Sequence, residues 1–136
     1  MAAIVYSYAA DLAVDDVIAL LNASTLGERR PVGNRTTIAR MIRHADLLVT
    51  AWDGPLMVGF CRTLTDFDYV GYLSDLAVHA DYQHRGIGRR LVEKTRQRMG
   101  PAATIVLLAA PKAVDYYKKI GFARHESAWV LRPGAP

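Results

Sequence analysis

Tyr72-Leu-Ser-Asp-Leu-Ala-Val-His-Ala-Asp-Tyr-Gln-His-Arg-Gly-Ile-Gly-Arg-Arg-Leu91 decides the reading of this chain. The stretch passes from an apolar strand through a glycine-punctuated turn into the basic start of a helix. Holding a diphosphate requires that order. Gly86 and Gly88 let the backbone approach an anion closely, and the first amides of the following helix have no internal partner. The helix dipole places partial positive charge at the same point, so a phosphate is favoured there. Arg85, Arg89 and Arg90 add formal charge around it.

Two other phosphate motifs are excluded. A dinucleotide fingerprint requires glycine where Leu91 stands, and the sequence has no Gly-Lys-Ser/Thr loop. Gln83-His-Arg-Gly-Ile-Gly88 instead resembles the coenzyme A signature of the GNAT N-acetyltransferases, Arg/Gln-x-x-Gly-x-Gly/Ala. Ala113-Val-Asp-Tyr-Tyr-Lys-Lys-Ile-Gly-Phe122 resembles the second hallmark of that family, Ala-x-x-(aromatic)-Tyr-x-x-x-Gly-Phe. A lone Gly-x-Gly carries little weight. Both segments in this order, separated by one helix and one strand, carry much more.

Composition fits that reading. A chain of 136 residues, 51% hydrophobic and 22% charged, is expected to form one packed domain over residues 1–136. No run reaches the ~18 apolar residues of a membrane span, and the start of the chain has no basic-then-apolar leader, so a cytoplasmic location without membrane attachment is expected. Cys61, the single cysteine, has no internal disulfide partner, which suits a reducing compartment. The charge of +4 raises the possibility of nucleic acid. The arginines are dispersed, however, and several fall at the phosphate turn, so an anionic cofactor accounts for much of the excess.

Along the chain, Ile4–Tyr8 reads as a strand, and Val14, Val17, Ile18 and Leu21 show helical spacing. Residues 22–34 form a polar loop, followed by a helix carrying Ile38, Met41, Ile42 and Ala45. Strands at 47–52 and 56–64 flank Asp53-Gly54, a strong hairpin signal. A strand at 69–79 leads into the Gly86 turn, and the next helix turns Ile87, Leu91, Val92, Thr95 and Met99 inward before ending at Gly100-Pro101. Residues 104–109 are apolar on both faces and read as a buried central strand. Pro111 opens a last helix that Gly121 ends, and 122–131 read as a final strand.

This order implies an α/β (α+β) fold with a mixed, mostly antiparallel sheet and helices on both faces. It is also the GNAT order, which implies about six to seven strands flanked by four helices. GNAT folds often finish in a two-strand hairpin for which little sequence remains. The expectation is a single last strand, or one completed by a second subunit in a homodimer.

The resemblance implies acetyl transfer from acetyl-CoA to a primary amine of a small-molecule acceptor by direct attack. Such transfer needs a deprotonated amine, a stabilised oxyanion and a protonated thiolate, and no covalent enzyme intermediate. By resemblance, backbone groups of Leu76, Ala77 and Val78 pair with the pantetheine arm, and the Leu76 amide faces the thioester carbonyl. The same resemblance implies that Gln83, His84, Arg85, Gly86, Ile87, Gly88 and Arg89 hold the diphosphate. Tyr117 matches the family tyrosine near the sulfur and is the expected general acid; Tyr116 is expected in the core. Where many members have a cofactor-contacting asparagine, this chain has Ala110.

The base stays open among three readings. Asp75 lies in the strand that carries the base in several GNAT enzymes, yet strict alternation puts it opposite Tyr72, Ser74 and Leu76. A water held by Tyr72 and Ser74 is the second reading. Glu28, in the loop expected to wall the acceptor cleft, is the third; with Arg29 and Arg30 it points to an acceptor bearing both an amine and an anionic group. His44, His79, His84 and His125 lack metal-site spacing, so no metal is expected. The competing functions are a non-catalytic acyl-CoA-binding regulatory module, a protein or peptide N-acetyltransferase, and a nucleic-acid-binding domain. The first has no need of Tyr117, and the last rests on charge alone.

Overall fold

Where side chains alternate along the chain a sheet forms, and where they repeat at helical spacing helices cover it. The computed structural model describes residues 3–134. Val5–Ala9 (β1) is followed by Val14–Ala23 (α1), a 3-10 turn at Leu26–Arg29, and Arg35–Arg43 (α2). Leu47–Asp53 (β2), Leu56–Thr65 (β3) and Val70–Val78 (β4) form an antiparallel meander. Ile87–Met99 (α3), Thr104–Val106 (β5) and the short Tyr116–Lys119 (α4) complete the elements. The sheet order is β1-β2-β3-β4-β5, with only β4 and β5 parallel. The mixed, mostly antiparallel sheet with four helices is therefore present.

Local chemistry explains most boundaries. Asn34 caps α2 by accepting from the Thr37 amide at 3.1 Å. Gly54 turns the β2–β3 hairpin at φ 56°. Gly100 stops α3 at φ 107°, a conformation any Cβ would strain.

The core is split by the sheet. On one face α3 buries Ile87, Leu91, Val92 and Met99 against Val49, Val58, Cys61 and Leu73. On the other, α1 and α2 bury Val17, Leu20, Leu21, Ile38 and Ile42 against Leu48, Phe60 and Ala77. All five residues expected to face inward on α3, Thr95 included, are buried.

Two expectations fail at the end of the sheet. The 104–109 run is not a buried central strand: β5 has three residues and lies at an edge, with Val106 47% exposed. Its apolar character serves a cleft wall instead, through Leu107 and Leu108. Nor do residues 122–131 form a strand, so among the described residues the sheet has five strands, not six or seven. The segment turns at 126–127, where the Ser127 amide donates to His125 Nδ1 at 3.1 Å. Such a local bond competes with a sheet ladder.

Position 74 is irregular. Arg62 pairs with Asp75 and Thr63 with Leu73, which leaves Ser74 as the extra residue of a β-bulge. β4 and β5 pair only from Val70↔Thr104 to Tyr72↔Val106. Beyond that point the two strands part.

Candidate active site

A cleft of about 880 Å³ opens where β4 and β5 diverge. One wall is Ser74 and Leu76–Val78 of β4, and the other is Leu107, Leu108 and Ala110. The start of α3 closes one end of the cleft, and the Leu26–Arg30 segment and α4 border it. Because no strand among the described residues pairs with β4 beyond Tyr72 on this side, its edge is open to an extended ligand.

The turn before α3 is more tightly curled than the sequence indicated. His84 and Gly86 both adopt left-handed backbone, at φ 63° and 78°. Histidine is among the non-glycine residues that tolerate this region, so the signal lay in the residue type. Gly86 is the N-cap of α3, and no neighbour comes near the position a Cβ would take there. Gly88 has the opposite reason for being glycine: a Cβ would collide with the Tyr116 hydroxyl.

Of the ten residues expected to hold coenzyme A, nine line the cleft: Leu76, Ala77, Val78, Gln83, His84, Gly86, Ile87, Gly88 and Arg89. Arg85 does not; its guanidinium lies over the Tyr82 ring, 5.0 Å from the centroid. Tyr82 in turn donates to Asp53. Arg90 also turns away, towards Glu93 and Tyr6. Positive charge at the cleft comes instead from Arg89 together with Arg29, Arg30, Lys112, Lys119 and Arg132.

Tyr117 lines the cleft, its ring edge-on to Tyr116 and Phe122. Burial pushes its phenol up to about 12, with Cys61 and Tyr116 adding to the rise and Arg30 opposing it. A group so raised keeps its proton at neutral pH and can donate it. Tyr116 is not a core residue: it lines the cleft, its hydroxyl against the start of α3. Burial raises its phenol too, and Arg89 pulls the other way.

The two carboxylates fare differently from expectation. Asp75 is 1% exposed and absent from the cleft wall. Its Oδ1 accepts from Arg30 Nε and its Oδ2 from Arg62 Nε, each at 2.5 Å. Enclosed between two guanidiniums, it is not placed to take a proton from an acceptor. Arg62 went unread in the sequence, although a lone arginine inside the apolar 56–64 run was the available sign. Glu28 lies outside the lining and faces Lys112 at 3.9 Å, both side chains exposed. The bulge also breaks the alternation assumed for β4: Leu73 and Leu76 both pack on the α3 face. Tyr72 and Ser74 do line the cleft. The Ser74 hydroxyl accepts from Arg62 Nη2 at 2.8 Å.

The arrangement offers an anion cradle, an open strand edge and a protonated phenol in one cleft. Comparison with known proteins bears on the family and the fold. A family model described as an acetyltransferase (GNAT) domain matches residues 30–131. An uncharacterized N-acetyltransferase of Pyropia yezoensis is 34% identical over 70 residues, spanning 50% of this chain and 40% of that protein. The chloroplastic GCN5-related N-acetyltransferase 2 of Arabidopsis thaliana is 31% identical over 68 residues, spanning 48% of this chain and 26% of that protein. The chain thus spans less than half the length of these relatives. In structure, a GNAT family acetyltransferase from Streptococcus pneumoniae superimposes with a TM-score of 0.75 over 96% of this chain and 99% of its own, at 24% identity. The domain match covers most of the sequence and includes both the glycine turn and Tyr117, so this chain belongs to the GNAT acetyltransferase family.

Proposed function

We propose that the protein transfers an acetyl group from acetyl-CoA to a primary amine of a small molecule. The observation that carries this reading is the convergence of the α3 N-terminus, the open β4 edge and the Tyr117 phenol on one cleft. Bound acetyl-CoA would supply the activated acetyl group. The amine nitrogen bonds to the acetyl carbon, the carbon–sulfur bond breaks, and an amide and coenzyme A result.

The residues of the chain divide the work by position. Gln83, His84, Gly86, Ile87, Gly88 and Arg89 bind the diphosphate with backbone amides and charge. Leu76, Ala77 and Val78 orient the pantetheine arm along the open edge, with the Leu76 amide directed at the acetyl oxygen. Tyr117 gives its proton to the departing sulfur. The amine loses its proton to water in the cleft beside Tyr72 and Ser74, because Asp75 and Glu28 stand outside it.

The protein is further proposed to work as a homodimer in a reducing compartment such as the cytoplasm. Cys61 is buried and unpaired, and no helix among the described residues is long and apolar enough to cross a membrane.

Titration calorimetry with acetyl-CoA, followed by thiol release across an amine panel, tests the function. Binding with turnover supports it. Binding without turnover on small amines or peptides would instead make the protein an acyl-CoA-binding module, and turnover on peptides alone a protein acetyltransferase.

A further inference from the structure

The ion cluster beside the cleft takes no part in the proton transfers above, yet its construction is specific. Asp75 receives Arg30 on one oxygen and Arg62 on the other. The same guanidiniums close on the bulge. Arg30 Nη2 donates to the Ser74 carbonyl at 2.7 Å, and Arg62 Nη2 to the Ser74 hydroxyl. The carbonyl and hydroxyl of the extra residue, which the sheet ladder leaves unpaired, are thereby satisfied.

Two cations share one carboxylate, so the cluster holds one net positive charge. Arg62 is sealed in the core, whereas Arg30 is 22% exposed and lines the cleft beside Arg29. The excess charge therefore reaches the cleft through Arg30. A guanidinium has five N–H donors in a rigid fork. Three are used here, on Asp75, the Ser74 carbonyl and, through Nη1, the Arg29 carbonyl at 2.8 Å. The rest remain for a ligand. Because the fork is already fixed, binding an anion there costs little side-chain freedom. Arg30 and Tyr117 line the same cleft.

We propose that Arg30, fixed by Asp75 as its positioning residue, selects an acceptor that carries an anionic group, carboxylate or phosphate, close to its amine. This assignment rests on the acetyl-transfer reading and refines its acceptor. It also separates the members of the loop: Arg30 recognises the acceptor, and Glu28, outside the cleft, does not.

Matched amines test it: L-amino acids against their carboxamides, and O-phosphoethanolamine against ethanolamine. Each is titrated calorimetrically into the protein alone and then assayed by thiol release with acetyl-CoA. The parent should favour one class of anionic twin by about ten- to a hundredfold, the range of a charge-assisted hydrogen bond; which class it is separates carboxylate from phosphate. In Arg30→Gln the preference should collapse while acetyl-CoA affinity holds, and Arg30→Lys should restore part of it. This variant leaves Asp75 paired one-to-one with Arg62, so it avoids a buried unpaired charge. Asp75→Asn should raise the KM of the anionic acceptor more than it lowers kcat; if it does not fold, Arg30→Gln decides. A parent that treats twins alike, or an Arg30→Gln variant that keeps the preference, overturns the assignment. Failure of the parent to bind acetyl-CoA would remove the transfer reading, while the titrations on the protein alone would still judge Arg30.

Discussion

The Tyr116 hydroxyl occupies the space that a Cβ on Gly88 would need. The second glycine of the turn therefore answers to a tyrosine as well as to the proposed diphosphate. Gly88→Ala should weaken acetyl-CoA binding, because the Tyr116 hydroxyl must move from the space the new methyl takes. Tyr116→Phe removes the colliding oxygen, so the double variant should recover part of that loss. Calorimetry on the four proteins of this cycle measures the coupling; strictly additive effects would show that the contact carries no energy.

Gly86 makes the contrasting case. No neighbour crowds it, and its demand is only the left-handed backbone at φ 78°. Gly86→Val should reduce acetyl-CoA affinity by straining the turn, and no change at Tyr116 should rescue it. An unchanged dissociation constant in Gly86→Val would remove the turn from the binding site.

Tyr117→Phe separates chemistry from binding. Loss of a proton donated only as the sulfur leaves should lower kcat and kcat/KM together, by ~10²–10⁴-fold for a general acid. The acetyl-CoA dissociation constant should stay near that of the parent. Parent-like turnover in the phenylalanine variant would leave Tyr117 a packing residue.

Raised pKa values fix the sign of the alkaline response. The Tyr117 phenol stands at about 12, so it stays protonated and gives no alkaline fall in kcat between about pH 7 and about pH 10. Stability behaves otherwise. A group whose folded pKa exceeds its unfolded one loses its proton first in the unfolded chain, so its contribution disappears as pH climbs. The Cys61 thiol, which burial lifts from 9.0 to about 11, begins this loss, and Tyr117 continues it towards about 12. Urea midpoints should fall from about pH 9 upward, less steeply in Cys61→Ala. A flat parent profile up to about pH 11 would contradict this.

The open edge at β5 supports the dimer proposal. Val106 is half-exposed there, and Trp129 and Leu131 lie almost bare at 94% and 84%. Unpaired edges and exposed apolar side chains favour association. Light scattering at micromolar concentration should report twice the 15.0 kDa chain mass. A monomer would count against it.

The parts of the fold set by local pattern were legible: the β2–β3 hairpin from Asp53-Gly54, the inward face of α3 from its spacing, and the turn into α3 from its glycines. What escaped depends on pairing across distance. The bulge at Ser74 has no local mark, since it arises from how Arg62 and Thr63 register against β4. Asp75 looked available because its two arginine partners, 45 and 13 residues away, are brought to it only by the fold. The β5 run looked buried because apolar residues in a cleft wall and in a core have the same composition.

The bulge has one more consequence, which concerns the phase of β4. Leu73 faces the α3 layer, Ala77 the layer of α1 and α2, and Leu76 the α3 layer again. With Ser74 removed from the count, Leu73, Asp75, Leu76 and Ala77 alternate without a break. The insertion is thus neutral to both cores. Deleting Ser74 should leave the secondary structure seen by circular dichroism largely intact while straightening the strand beside the cleft and abolishing acetyl-CoA binding. Scaffold and cleft are in this sense written in separate registers of one strand, so the cleft can change shape by a single residue without repacking either core.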